Sequence, residues 1–238
     1  VKNIYFSFLI IISAFFSVLA NADTIRWTEK KLGKVILQAN YAASKKEWAR
    51  AIEYGEKMLA GSKALDHANH PRYINLLKNL NRYYDKQNRL REISERVTQA
   101  YQLSKENFGL THKTTTQTRY MYFKLLISEK KYTQAIPLVR EAMSALGNSQ
   151  EDKFKLHGYL KQLYSLHGLA GQFEEEEKIL HQYLELNNEL LGPEEDDETK
   201  TVFVVLAKNY CRQNKIEEFH NLVRKHQLNY KCENLQSP

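Results

Sequence analysis

Glycine and proline are scarce in this 238-residue chain, at nine and four residues, which leaves little room for the turns of an all-β fold. The sequence contains no Gly-rich phosphate loop, no metalloprotease helix and no serine elbow, so the common motif-borne chemistries are excluded. Only two cysteines occur. After the first twenty residues, no apolar run approaches the length of a membrane span. What is there is ordinary for a folded helical protein: 42% hydrophobic and 26% charged residues.

The first 22 residues stand apart from the rest. Lys2 is a minimal positive start, Ile4 to Leu19 is apolar or small apart from three serines, and Ala20-Asn21-Ala22 places small residues before Asp23. This pattern reads as a secretory signal peptide over 1–22, cleaved near Ala22. An initial Val is what a non-AUG bacterial start codon would give, so a bacterial, periplasmic or secreted protein is expected. Losing Lys2 from the 35 basic and 28 acidic residues leaves a net charge of +6. That excess is mild and comes with no known nucleic-acid-binding module, which together with the periplasmic address argues against nucleic acid, and no stable membrane insertion is expected after cleavage.

The remaining chain repeats itself. Trp48, Leu90, Tyr132, Phe173 and Ile216 are separated by 42, 42, 41 and 43 residues. Each follows a helical stretch and a short polar turn, and each opens a second helical run, as in Ala135, Leu138, Val139 and Ala142. The unit is helix, turn, helix. A fixed period in this range marks stacked units whose apolar faces only their neighbours can bury. Polar connectors containing Gly61, Gly109, Gly147 and Gly192 separate the units.

These residues resemble the tetratricopeptide repeat (TPR) family in its long, 42-residue, kinesin-light-chain-like variety. The resemblance rests on Lys130-Lys131-Tyr132-Thr133-Gln134-Ala135 and Lys46-Glu47-Trp48-Ala49-Arg50-Ala51, and on the connectors Phe108 to Thr115 and Leu191 to Thr199. It implies an all-α fold, a right-handed superhelical solenoid of about five antiparallel helix pairs. The domain would span 23–226, with units at about 29–65, 66–109, 110–148, 149–192 and 193–226, and a tail at 227–238. Glu176 departs from the pattern by taking a small-residue position three after its anchor. A buried unpaired carboxylate is costly, so a local shift of the fourth pair around Gly168 to Gln172 is expected.

The resemblance also implies that ligands meet a concave wall of first helices. Positions twelve and eight before each anchor lie one turn apart. They read Ile36, Lys78, Tyr120, Lys161, Val204 and Asn40, Arg82, Lys124, Ser165, Lys208. Five of these ten are basic and none is acidic. The expected site is therefore a groove for an acidic peptide or protein segment, with Lys78, Arg82, Lys124, Lys161 and Lys208 supplying charge and Asn40 and Tyr120 supplying hydrogen bonds or stacking. Ile36 stands where the family's carboxylate clamp carries Lys, so a dedicated chaperone-tail clamp is not expected.

In an exported chain Cys211 and Cys232 suggest a disulfide tying the tail to the last pair, with two free thiols as the alternative. In the connector Asp66 to His70, the two imidazoles of His67 and His70 stand three residues apart without a third metal ligand, and Cys211 with His220 lacks an orienting carboxylate. No metal and no cofactor are expected. The function read from sequence is a non-enzymatic exported scaffold that binds protein. The alternative is a secreted factor that binds host or competitor proteins. The oligomeric state is not encoded in these patterns.

Overall fold

The computed structural model describes residues 26–67, 70–192 and 197–232; the expected signal segment lies outside them. Ten helices run through the described residues: α1 (Glu29–Ser44), α2 (Trp48–Ala64), α3 (Pro71–Lys86), α4 (Ser94–Phe108, entered through a 3-10 turn at Leu90–Ile93), α5 (Lys113–Ser128), α6 (Tyr132–Met143), α7 (Gln150–Leu169), α8 (Phe173–Leu191), α9 (Asp197–Arg212) and α10 (Ile216–Lys225). They pack in chain order, each second helix against the first helix of the next pair. The result is an all-helical array of five pairs.

One turn closes all five pairs. The residue two before each anchor is left-handed: Lys46 (φ 59°), Asn88 (57°), Lys130 (58°), Gly171 (72°) and Asn214 (58°). The next amide reaches back to the carbonyl five residues earlier at 2.9–3.0 Å, as Glu47 to Ala42, Arg89 to Tyr84, Lys131 to Leu126, Gln172 to His167 and Lys215 to Tyr210. This pairing satisfies carbonyls that the helix end would otherwise leave open. At the other ends of the first helices, Thr28, His70 and His112 cap α1, α3 and α5, each twenty residues before its anchor.

The expected shift of the fourth pair does not occur. Its turn matches the others, and Glu176 is 4% exposed in the same phase as Ala51 and Ala135. The room comes from Gly168, where a Cβ would lie 2.2 Å from Glu176 Oε1. Asn209 Nδ2 donates to Glu176 Oε2 at 2.9 Å and to the Phe173 carbonyl at 2.7 Å. Burial pushes the Glu176 carboxyl above its ordinary range, against the Asn209 hydrogen bond and the charges of Arg212 and His167. The irregularity instead falls between α6 and α7: α6 has only 12 residues, and Ser149 caps α7 twenty-four residues before Phe173.

Two apolar cores fill the array. The first joins α1 to α4 with Met121 and Leu125, and the second runs from Tyr101 to Phe219. Positions ten and seven before the anchors carry much of this contact: Leu80 and Tyr83, Leu163 and Leu166, and Leu206 and Asn209 are buried. Gly55 lets α3 approach α2 so closely that a Cβ there would meet Leu80 at 2.6 Å. In α1 the equivalent residues, Gln38 and Tyr41, are exposed.

Gly171 faces open space, so its role is conformational. Gly171→Ala should lower unfolding free energy by about 1–2 kcal/mol, the cost of a left-handed Cβ, read from the urea midpoint. For Glu176, a folded-state pKa above the unfolded one means stability is greatest at low pH and falls as pH rises through the folded value. Glu176→Gln keeps an acceptor for Asn209 and should raise the thermal midpoint at neutral pH. In a pH series of melts that gain should vanish below about pH 4.

Candidate ligand-binding groove

The ten phased positions give each first helix the same short stripe of two residues, one turn apart. Asn40, Arg82, Tyr120, Lys161, Ser165 and Lys208 are exposed, and Ile36, Lys78, Lys124 and Val204 are half-buried. Side chains tie successive first helices together at these positions. Tyr83 Oη donates to Asn40 Oδ1 at 3.3 Å, joining α3 to α1. Lys124 Nζ pairs with Asp85, joining α5 to α3, and Lys161 Nζ pairs with Glu198 at 2.6 Å, joining α7 to α9. The Lys161 ammonium is held above its ordinary range by hydrogen bonding to Glu198.

The five cations therefore differ in availability. Lys124 and Lys161 already have carboxylate partners. Lys208 lies 5.8 Å from the centre of the Tyr230 ring, under the chain's own tail. Lys78 and Arg82 have no carboxylate within ion-pair distance among the described residues; Lys78 Nζ donates to Asn75 Oδ1 at 3.3 Å, and the Arg82 guanidinium lies 5.7 Å from the centre of the Tyr83 ring. Lys78 is pushed below the ordinary ammonium range first by burial, then by Arg82 and Lys113.

Lys113 is the member that the phasing missed. It stands two turns before Tyr120 on the same face of α5, outside the two positions chosen per helix. Asn75 Oδ1 accepts from both Lys78 Nζ and Thr114 Oγ1, the latter at 3.1 Å, which brings the start of α5 against α3. Asn40, Arg82, Lys78 and Lys113 thus lie near one another over α1, α3 and α5, with the buried Tyr83 hydroxyl bonded to Asn40. Three like charges held together repel one another, and a bound anion would relieve that repulsion.

The other titratable clusters brace helices. Tyr84 Oη and Arg96 Nη1 both donate to Glu56 Oε1, at 2.8 and 2.7 Å. Burial alone would raise the Glu141 carboxyl, but donation from Lys105 and Tyr101 outweighs it and holds that group low. His157 stacks on Tyr183 with ring centres 4.2 Å apart and bonds Asn187, His167 bonds Gln172 at 2.7 Å, and His181 meets Tyr210 Oη at 3.2 Å. Among the described residues, no three His, Cys, Asp or Glu side chains converge as metal ligands, and no helix is long and apolar enough to cross a membrane.

Cys211, near the end of α9, is bonded to Cys232, with Cα atoms 5.8 Å apart. The intervening tail folds back: the Leu228 amide donates to the Val223 carbonyl at 3.0 Å, Tyr230 meets Phe219 edge-on at 6.1 Å, and Leu228, Tyr230 and Cys232 pack against the second core.

No protein-family model and no curated protein matches this chain. Solved structures do match in fold. The kinesin light chain TPR-like repeats of Podosopora anserina superpose with a TM-score of 0.57 at 15% identity, covering 82% of this chain and 94% of that one. A point-substituted form of the same repeats gives 0.56 at 15% identity, with the same coverage. BtubC (BKLC) from P. vanneervenii gives 0.52 at 12% identity, covering 83% of this chain and 79% of that one. The chain therefore has a TPR-like solenoid fold of the kinesin-light-chain-like kind, as the repeat spacing led us to expect.

Alkylation without reductant should add nothing to the protein, and alkylation after reduction should add two groups. Cys211→Ser/Cys232→Ser should cost up to about 3 kcal/mol, the loop-closure value for a 21-residue separation, measured by denaturant unfolding.

Proposed function

We propose that this protein is a non-enzymatic scaffold that binds an acidic segment of a partner protein along the strip formed by Asn40, Lys78, Arg82 and Lys113. The fold supports the general part of this reading, because TPR-like arrays generally serve as protein-binding surfaces. The observation that carries the specific part is the Lys78, Arg82 and Lys113 cluster, which lacks a carboxylate partner among the described residues while Lys124 and Lys161 have theirs. Asn40, exposed and braced by the buried Tyr83 hydroxyl, adds a directional group at its edge, and Tyr120 offers an exposed ring on the next helix. Export to the periplasm or beyond belongs to the same proposal, resting on residues 1–22 and the paired cysteines.

Binding of fluorescent oligo-glutamate peptides, followed by anisotropy across a salt series, tests the assignment. Lys78→Glu/Arg82→Glu should weaken binding at least tenfold and flatten its salt dependence. Lys161→Glu should change it by less than threefold, since that ammonium is already neutralised. Unchanged affinity in the Lys78/Arg82 variant would discard the acidic-segment reading.

A further inference from the structure

A third-unit residue breaks the core pattern in a way the groove does not explain. Thirteen positions before each anchor the units carry Val35, Leu77, Arg119, Leu160 and Phe203. Leu77 and Leu160 are buried, and so is Arg119, at 6% exposure. A charged group in an apolar column weakens the stack unless something compensates it. The compensation within the chain is thin. Arg119 Nη1 donates to the Leu110 carbonyl at a long 3.4 Å, and no carboxylate lies within ion-pair distance of it among the described residues. Glu141 feels its charge, but that carboxylate already accepts from Lys105 Nζ at 2.6 Å and from Tyr101 Oη.

Arg119 also lines a cleft of about 570 Å³ between α5 and α7, floored by α6. Its walls include Tyr120, Phe123, Tyr159 and Gln162, and its floor includes Leu138 and Val139. A mostly apolar concavity with few polar groups, in the range of roughly 300–1,000 Å³, is the usual form of a small-molecule site. Arg119 is the single charged residue among those lining this one. One guanidinium suits one carboxylate, and the aromatic walls suit an apolar body.

We propose that the α5–α7 cleft binds a small organic monocarboxylate with an aromatic or aliphatic body, its carboxylate accepting from Arg119 and its body lying between Tyr120 and Tyr159. This site is separate from the acidic-segment strip, although Tyr120 borders both. The column makes it detectable: Leu at this position serves the stack in α3 and α7, and Arg119 instead places a guanidinium there.

Calorimetry on the full chain with 3-phenylpropionate and octanoate, and with their primary amides, tests the proposal. The carboxylates should bind, and the amides should bind at least tenfold more weakly. Arg119→Leu should lose at least tenfold in carboxylate affinity while its thermal midpoint stays level or rises. Equal binding of acid and amide, binding by neither, or displacement of the acid by oligo-glutamate would overturn the assignment. A sharply lowered midpoint in Arg119→Leu would overturn it too, since Arg119 would then be a tie between α5 and the Leu110 connector. The strip variant at Lys78 and Arg82 carries none of these readouts, so the two proposals fail separately.

Discussion

Everything in this array depends on the left-handed residue two positions before each second helix. It lets the following amide close onto the carbonyl five residues back, and all five turns do so within 0.1 Å of one another. The length and direction of each turn are therefore the same whether the residue is Lys, Asn or Gly. A constant turn fixes the rotation of each second helix against its first. The apolar side of that second helix then faces the next pair, and burial of positions such as Leu80, Leu163 and Leu206 follows. Non-Gly residues hold a conformation that costs about 1–2 kcal/mol for an L-residue. Packing on both sides of the turn must exceed that cost, and an internal pair has a neighbour on each side to supply it.

The same constancy is why so much of the fold was legible. Trp48, Leu90, Tyr132, Phe173 and Ile216 stand one residue after the closing amide, so an invariant turn appears in the sequence as a near-invariant spacing. Glu176 was misjudged for a different reason. Its neighbours Gly168 and Asn209 lie eight and 33 residues away, and neither is conspicuous until the helices are packed. The 41-residue interval reflects a short α6 and an early start to α7, not a change in the turn before Phe173.

The groove was half legible. Period and phase find which residues share a face of one helix, but they say nothing about what reaches across from the next. Asp85 and Glu198 sit five and eighteen positions before their anchors, out of phase with the basic stripe, and yet they engage Lys124 and Lys161. Such exposed or half-exposed pairs add at most about 1 kcal/mol each. Their larger effect is on recognition, because they remove two of five cations from the surface offered to a ligand and leave the positive field concentrated over α3 and the start of α5. Arg119 is hidden for the complementary reason: it stands thirteen before its anchor in a buried column, off the exposed face that the phasing follows.

The two ends of the described array differ in the faces they present. Where α3 buries Tyr73, Leu76, Leu80 and Tyr83 against α2, the same positions of α1 are Lys31, Lys34, Gln38 and Tyr41, all exposed. That face of α1 is polar enough to meet water where α3 meets α2. At the other end, α10 keeps Phe219, Leu222 and Val223, residues suited to a further helix, and an extended tail covers them instead. An extended segment contributes few internal hydrogen bonds and loses much conformational freedom when it is pinned. Leu228 and Tyr230 are half-buried against the second core, and the covalent link at Cys232 adds to that attachment. That link meets Cys211 at the end of α9, the helix that α10 packs against, so the tail passes Phe219 of α10 and is anchored on α9.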